Sequence, residues 1–214
     1  MHSIEAIAID GPAASGKTTV GRELSSKIGY TFLDTGLMYR AITFWALETE
    51  IALQDKDSLR VLAENKAKEA GEIALHGGRE VFHSDIVGKY VSAVSSEPSV
   101  RKPLVRQQRV IASRGPIVMV GRDVGTVILP DSFKIYLDAS HTTRTKRRLA
   151  ELLDKGRSED SDSIGEEIEL RDELDSGRAV SPLGVAPDAI KIHTDELRIS
   201  QVVQLIIEAL KDAK

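Results

Sequence analysis

Residues 11–18 read Gly-Pro-Ala-Ala-Ser-Gly-Lys-Thr, and no other run restricts the possible folds of this chain as much. The run matches the pattern G-x-x-x-x-G-K-[ST] at every fixed position. Apolar residues dominate positions 4–9 before it, and Val20, Leu24 and Ile28 follow at fourfold spacing. The loop therefore joins a strand to an amphipathic helix. Such a loop wraps a phosphate with consecutive backbone N–H groups, which asks for glycine at crowded or left-handed positions. The helix starting near Lys17 points the positive end of its dipole at the same anion. Lys17 then spans the β- and γ-phosphates, and Thr18 offers its hydroxyl to Mg2+. A Gly-rich turn that only caps a helix is the bland alternative. The motif alone does not separate kinases from GTPases or transport ATPases.

The 214 residues allow one sizeable core, or a core with a small appended lobe. Short β-rich runs alternate with longer helical patterns. Strands are expected at 4–9, 30–33, 117–120, 134–137 and 189–193, and helices at 20–28, 38–53, 142–155 and 202–210. This alternation implies an α/β fold: an open parallel sheet flanked by helices on both faces, with ligands at the carboxyl edge of the strands. Two stretches break the rhythm. Residues 70–91 contain His76-Gly77-Gly78-Arg79, which reads as a turn between short strands in a small inserted lobe. Residues 156–165 are dense in Ser, Asp and Glu without an apolar period. They read as a solvated loop or as a mobile lid, and their position favours the lid.

Composition narrows the function classes. The absence of cysteine removes disulfides and thiolate metal sites and fits a cytoplasmic location. The opening residues read as a strand rather than a signal peptide, and no apolar run is long enough to span a bilayer. A net charge of −4 supplies no general basic field to draw the protein onto nucleic acid. An anionic substrate must instead meet local arginines and lysines.

Several blocks offer them. Phe32-Leu33-Asp34-Thr35 ends a strand and starts a helix, with Arg40 about one turn further on. Thr35 either caps that helix or contacts a ligand. Gly121-Arg122-Asp123-Val124-Gly125-Thr126 follows another strand, so it too reaches the carboxyl edge. There Arg122 can clamp a phosphate bidentately and Asp123 can accept from an amino group. Arg144 and Arg148 share a helical face, which suits either a solvated basic surface or a donor-side clamp. Arg171, Asp175 and Arg178 fall on one face of an expected helix, as surface ion pairs or as arginine fingers.

Taken together, the chain resembles the bacterial cytidylate kinase family. The motifs that carry this are DGPAASGKTT, LDTGLMYR, VRQQR, GRDVGT, LDAS, RDELDSGRAVSPL and DAIKIHTDELRISQVV, in that order from end to end. The resemblance implies a P-loop nucleoside monophosphate kinase fold in a single domain. It would have a core of 1–63, 93–154 and 168–214, an acceptor-binding insert at about 64–92 and a lid at about 155–167. It implies a donor-nucleotide site of Gly11, Pro12, Ala13, Ala14, Ser15, Gly16, Lys17, Thr18 and Thr19, flanked by Arg144 and Arg148. Thr35, Arg40 and Arg122 are implied to hold the acceptor's phosphate, and Ser92, Arg101 and Asp123 to read a cytosine ring. Arg171, Asp175 and Arg178 match the ribose- and phosphate-proximal cluster. The chain departs from the family at Val120, where an acidic residue is expected before Gly-Arg-Asp. Asp34 is the nearest candidate for a Mg2+-water role.

The implied reaction is ATP with CMP or dCMP, giving ADP and CDP or dCDP, by in-line transfer with Mg2+. Lys17, Arg122, Arg148 and Arg171 would spread the charge of the moving phosphoryl group. No general base is needed, because the attacking phosphate oxygen is already anionic. The implied partners are these small molecules, with no nucleic acid and no membrane, and the implied state is a monomer. Two other readings remain. One is a different small-molecule kinase of the same fold, such as one acting on shikimate. The other is a nucleotide-dependent switch that binds RNA, which the 4% aromatic content makes the weaker.

Overall fold

The chain is described here through a computed structural model that covers residues 4–77, 80–154, 156–157 and 160–213. Five parallel strands form one sheet in the order β2-β3-β1-β4-β5. They are β1 (Ala6–Asp10), β2 (Thr31–Asp34), β3 (Ile117–Gly121), β4 (Phe133–Asp138) and β5 (Ile190–His193). The central pair alternates cleanly, because successive side chains in a strand face opposite ways. Ile7, Ile9, Val118 and Val120 point to one face, and Ala8, Ile117 and Met119 to the other. Both faces are therefore apolar and must be covered.

Helices α1 (Lys17–Ile28) and α8 (Ile199–Asp212) cover the first face, burying Val20, Leu24, Val203 and Ile206 against the strands. The second face is covered by α2 (Thr35–Glu48), α3 (Lys56–His76), α4 (Asp85–Ser96) and α5 (Pro98–Ala112). Two further helices, α6 (His141–Asp154) and α7 (Ser161–Ser176), meet at a small cluster of Leu152, Ile164 and Ile168. This satisfies the α/β expectation in strand number and in both covered faces.

Three local expectations are corrected. The described residues of 70–91 contain no strand. They are the end of α3, a short turn of helix at Glu80–His83 and the start of α4. The turn expected at 76–79 lies partly outside the described residues, at 78 and 79. Ala63, Ala67, Ala70 and Ala74 are all buried, so α3 carries a helical stripe written in alanine. The loop expected at 156–165 is short, because Asp160 accepts from the backbone N–H of Asp162 and Ser163 at 3.1 and 3.2 Å. That cap starts α7 at Ser161. Positions 155, 158 and 159 of the expected lid lie outside the described residues. Finally, Arg178 does not continue the face of Arg171 and Asp175, since α7 ends at Ser176.

The register sets the edge where a ligand can sit. Asp10 pairs with Gly121 and with Tyr136, and Asp34 pairs with Val120. The carboxyl ends of β1, β2 and β3 thus finish level, beside the loop that leads into α1.

Candidate functional site

The loop after β1 is built by close approach. A Cβ on Gly11 would stand 2.2 Å from the backbone oxygen of Leu137, and Gly16 holds φ +93°, so glycine is required at both. Ala14, at φ +56°, is left-handed without being glycine, a strained conformation that its surroundings must hold. Lys17 is 7% exposed, and its Nζ donates to the Pro12 carbonyl at 2.5 Å and to Ser15 Oγ at 3.2 Å. Burial, then the neighbouring Arg122 and Arg171, push this ammonium well below the usual lysine range. The loop thus holds a charge that is poorly compensated until an anion arrives.

Lys17 opens onto a cavity of about 640 Å³. Thr35, Arg40, Ser92, Arg101, Arg122, Asp123, Arg148, Arg171, Asp175 and Arg178 line it, together with loop residues 13–19 and Asp34. Donor loop and expected acceptor groups therefore share one chamber. Gly11 and Pro12 lie outside the lining, as backbone support.

The acceptor side is organised by buried ion pairs. Arg101 and Asp123 are each 3% exposed, and Arg101 Nη2 donates to Asp123 Oδ2. The same guanidinium donates through Nη1 to the Ser95 carbonyl at 3.0 Å and lies 5.2 Å from the centre of the Tyr39 ring, so its plane is fixed from three sides. Arg122 Nε donates to Asp175 Oδ2 at 2.8 Å. Arg178 pairs with the other oxygen of Asp175 and reaches Ser95 Oγ at 2.9 Å. Burial pushes the Asp175 carboxyl up, but Arg122, Arg178 and Arg171 outweigh it and hold it low. Thr35 Oγ1 donates to the Val120 carbonyl at 2.9 Å, and Arg40 Nη1 to the Phe82 carbonyl at 3.3 Å. Arg171 Nε is buried with no partner among the described residues. Arg148 pairs with Glu151 at 3.1 Å.

Val120 is 1% exposed and points at α1, where Gly21 leaves room for it. A carboxylate is supplied instead from the laterally paired position, since Thr18 Oγ1 donates to Asp34 Oδ2 at 2.9 Å. A hydroxyl and a carboxylate beside a phosphate loop are hard oxygen donors. They suit Mg2+, which takes few protein ligands and completes its shell with substrate phosphates and water.

Other site features were not legible in advance. Arg144 lies outside the lining, buried beneath the loop, where it donates to the carbonyls of Ala13 and Ala139 and pairs with Asp172. Arg147 lines the chamber and clasps the Ser15 carbonyl at 3.3 Å and Thr194 O at 2.6 Å. Fourfold spacing singles out Arg144 and Arg148, whereas the chamber is lined by Arg147 and Arg148, with Arg144 turned beneath the loop. Asp10 is also missed as a site neighbour: its two oxygens accept from the N–H of Val124 and Gly125 at 2.9 and 2.7 Å.

Burial pushes the Asp10 carboxyl up to about 6, against those two hydrogen bonds. The folded protein then holds this proton more tightly than the unfolded chain, whose value is 3.8. The stability contribution is fully present below pH 3.8 and is lost as pH rises through about 6, a change of about 3 kcal/mol. Carboxyl-carbon NMR on the ligand-free protein is expected to show one aspartate titrating near 6 that disappears in Asp10→Asn. A midpoint at or below 4 for that resonance refutes this.

Comparison with known proteins gives the chain a family. The cytidylate kinase family profile matches residues 7–212. The chain is 43% identical over 215 residues to the cytidylate kinase of Geobacillus sp. (strain WCH70), covering 96% of each chain. It is 45% identical over 212 residues to that of Streptococcus equi subsp. zooepidemicus, covering 94% of each. Among solved structures, the shikimate kinase of Bacteroides thetaiotaomicron aligns with a TM-score of 0.51 at 15% identity, covering 96% of this chain and 98% of that one. The last likeness concerns the fold alone. With a match that runs from β1 to the end of α8, the chain belongs to the cytidylate kinase family.

Proposed function

We propose that this chain transfers the γ-phosphoryl group of ATP to CMP or dCMP, giving ADP and CDP or dCDP. The observation that carries the acceptor assignment is the buried Arg101–Asp123 pair in the same chamber as Lys17. Cytosine presents an amino donor beside two acceptors, N3 and O2. Asp123 has an oxygen left to accept from the amino group, and Arg101 has donors for the ring. Ser92, which lines the same wall, adds a hydroxyl. Uracil would place a carbonyl against the carboxylate, and two facing acceptors are rejected strongly.

Thr35, Arg40 and Arg122 hold the acceptor phosphate in this reading. Arg171, Asp175 and Arg178 serve the ribose and the phosphates, residues 11–19 with Arg148 serve ATP, and Arg144 braces the loop from beneath. Thr18 and Asp34 would hold Mg2+, Asp34 through water. The ion would neutralise charge on the β- and γ-phosphates when bound. The residues themselves position, exclude water and donate: Lys17 and the arginines keep fixed positive charge where the phosphoryl group moves. No side chain has to remove a proton from the attacking oxygen.

Among the described residues no helix is long and apolar enough to cross a membrane. A cytoplasmic monomer that acts on free nucleotides, without nucleic acid, completes the proposal. An acceptor panel with ATP and Mg2+ tests it. CMP and dCMP are expected to turn over, UMP and AMP to fall about 10²-fold or more below them in kcat/KM, and shikimate to give nothing. Equal rates for AMP and CMP, or turnover of shikimate, overturn the acceptor assignment.

A further inference from the structure

The helix that carries Arg171 is bolted to the phosphate loop by the next residue along. Asp172 Oδ1 accepts from the backbone N–H of Ala13 at 3.1 Å, and its other oxygen pairs with Arg144. Arg144 Nη1 in turn donates to the Ala13 carbonyl at 3.2 Å, while its Nε is tied to the Ala139 carbonyl at 3.2 Å. The Asp172–Arg144 pair thus grips Ala13 by both of its backbone polar groups. The next residue, Ala14, is the one held at φ +56°, and its methyl packs against the α6–α7 apolar cluster. Neither a helix cap nor a surface ion pair accounts for this: the side chain crosses 159 positions to reach a loop N–H.

Adjacent helical residues point about 100° apart. Fixing Asp172 on the rim of the loop therefore fixes where Arg171 points. Arg171 faces into the chamber with its Nε buried and no partner among the described residues, a donor waiting for an oxygen. We propose that Asp172, through Arg144, is a positioning residue: it sets the strained phosphate loop and the Arg171 guanidinium at one fixed separation, so that donor loop and arginine act as a unit. The pair couples α7 to the loop independently of either substrate.

This rests on the assignment of Arg171 to the transferred phosphate, and the test separates the two. Arg171→Ala, Asp172→Asn and the double variant are assayed with saturating ATP and CMP, alongside CMP affinity by calorimetry and thermal melts of each full chain. Asp172→Asn is expected to lower kcat by roughly 10- to 100-fold, with CMP affinity within about twofold of the parent. The double variant is expected to lose no more than Arg171→Ala alone, because Asp172 acts through Arg171. Arg144→Lys, which keeps the charge but cannot reach both carbonyls, is expected to repeat the kcat loss. An Arg171→Ala variant with normal kcat sinks the Arg171 assignment. A normal Arg171 effect with unchanged kcat in Asp172→Asn, or additive losses in the double variant, overturns the proposal. So does loss of fold in both Asp172→Asn and Arg144→Lys, which would make the pair a folding element.

Discussion

Replacing Lys17 with methionine is expected to cut phosphoryl transfer by roughly 10³-fold, the scale set by removing one preorganised charge from a phosphoryl or oxyanion site. The ligand-free protein is expected to be no less stable than the parent. The two outcomes have one cause. Lys17 is buried beside Arg122 and Arg171, which together with burial push its ammonium well below the usual range. Its two hydrogen bonds, to Pro12 O and Ser15 Oγ, only partly offset this. Methionine keeps the aliphatic stem and drops the charge. Because the folded protein binds this proton less tightly than the unfolded chain, the parent's stability rises with pH from the depressed folded value towards about 10.4. Thermal melts in the alkaline range should show a slope of that sign in the parent and a smaller one in Lys17→Met. Turnover within tenfold of the parent removes Lys17 from the chemistry. A variant that melts well below the parent at neutral pH contradicts the charge argument.

The phosphate loop was legible because everything it needs is local: a strand, eight residues and a helix in one stretch of sequence. Strand positions were legible for a similar reason, since Ile117, Val118, Met119 and Val120 form a β-branched-rich run with both faces buried. The stretch around α3 was misread because alanine is a weak apolar signal. Ala63, Ala67, Ala70 and Ala74 pack at helical spacing, yet the glycines at 77 and 78 read louder. The charged stretch after α6 was misread because α7 buries only Ile164, Ile168 and a little else. A single aspartate cap starts it.

The unread parts of the site depend on lateral register and on long-range contact. The resemblance already named Asp34 as the stand-in for the acid absent at Val120, but nothing in the order of residues shows that the two are paired side by side on β2 and β3. Asp172 stands next to a nominated arginine, but its partner Ala13 is far away in sequence. The same holds for Tyr39, whose ring under Arg101 needs the packing of α2 on α5. The functional family was readable without these contacts. The reasons its charges are held so rigidly were not.

Specificity, in contrast, is expected to hinge on one carboxylate, and Asp123→Asn should redirect it. Truncation to alanine is a poor probe, because it leaves the buried Arg101 without any acceptor at this position as well as without its counter-charge, whereas an amide loses the charge but keeps an acceptor. Asparagine keeps the size. Arg101 offers only donors, so it will draw the amide oxygen towards its Nη2, the nitrogen that now pairs with Asp123. The amide nitrogen is then left facing the base. That nitrogen donates, which clashes with the amino group of cytosine and matches the carbonyl of uracil. The CMP-to-UMP ratio of kcat/KM is therefore expected to fall by roughly 10³-fold, below the 10⁴–10⁵ that a site with buried polar groups can reach. The KM for ATP should stay close to the parent's, since Asp123 does not touch the phosphate loop. Competition assays with both acceptors in one vessel read the ratio directly, free of enzyme concentration. An unchanged ratio in a folded variant would show that Asp123 serves Arg101 alone and that cytosine is read elsewhere in the chamber.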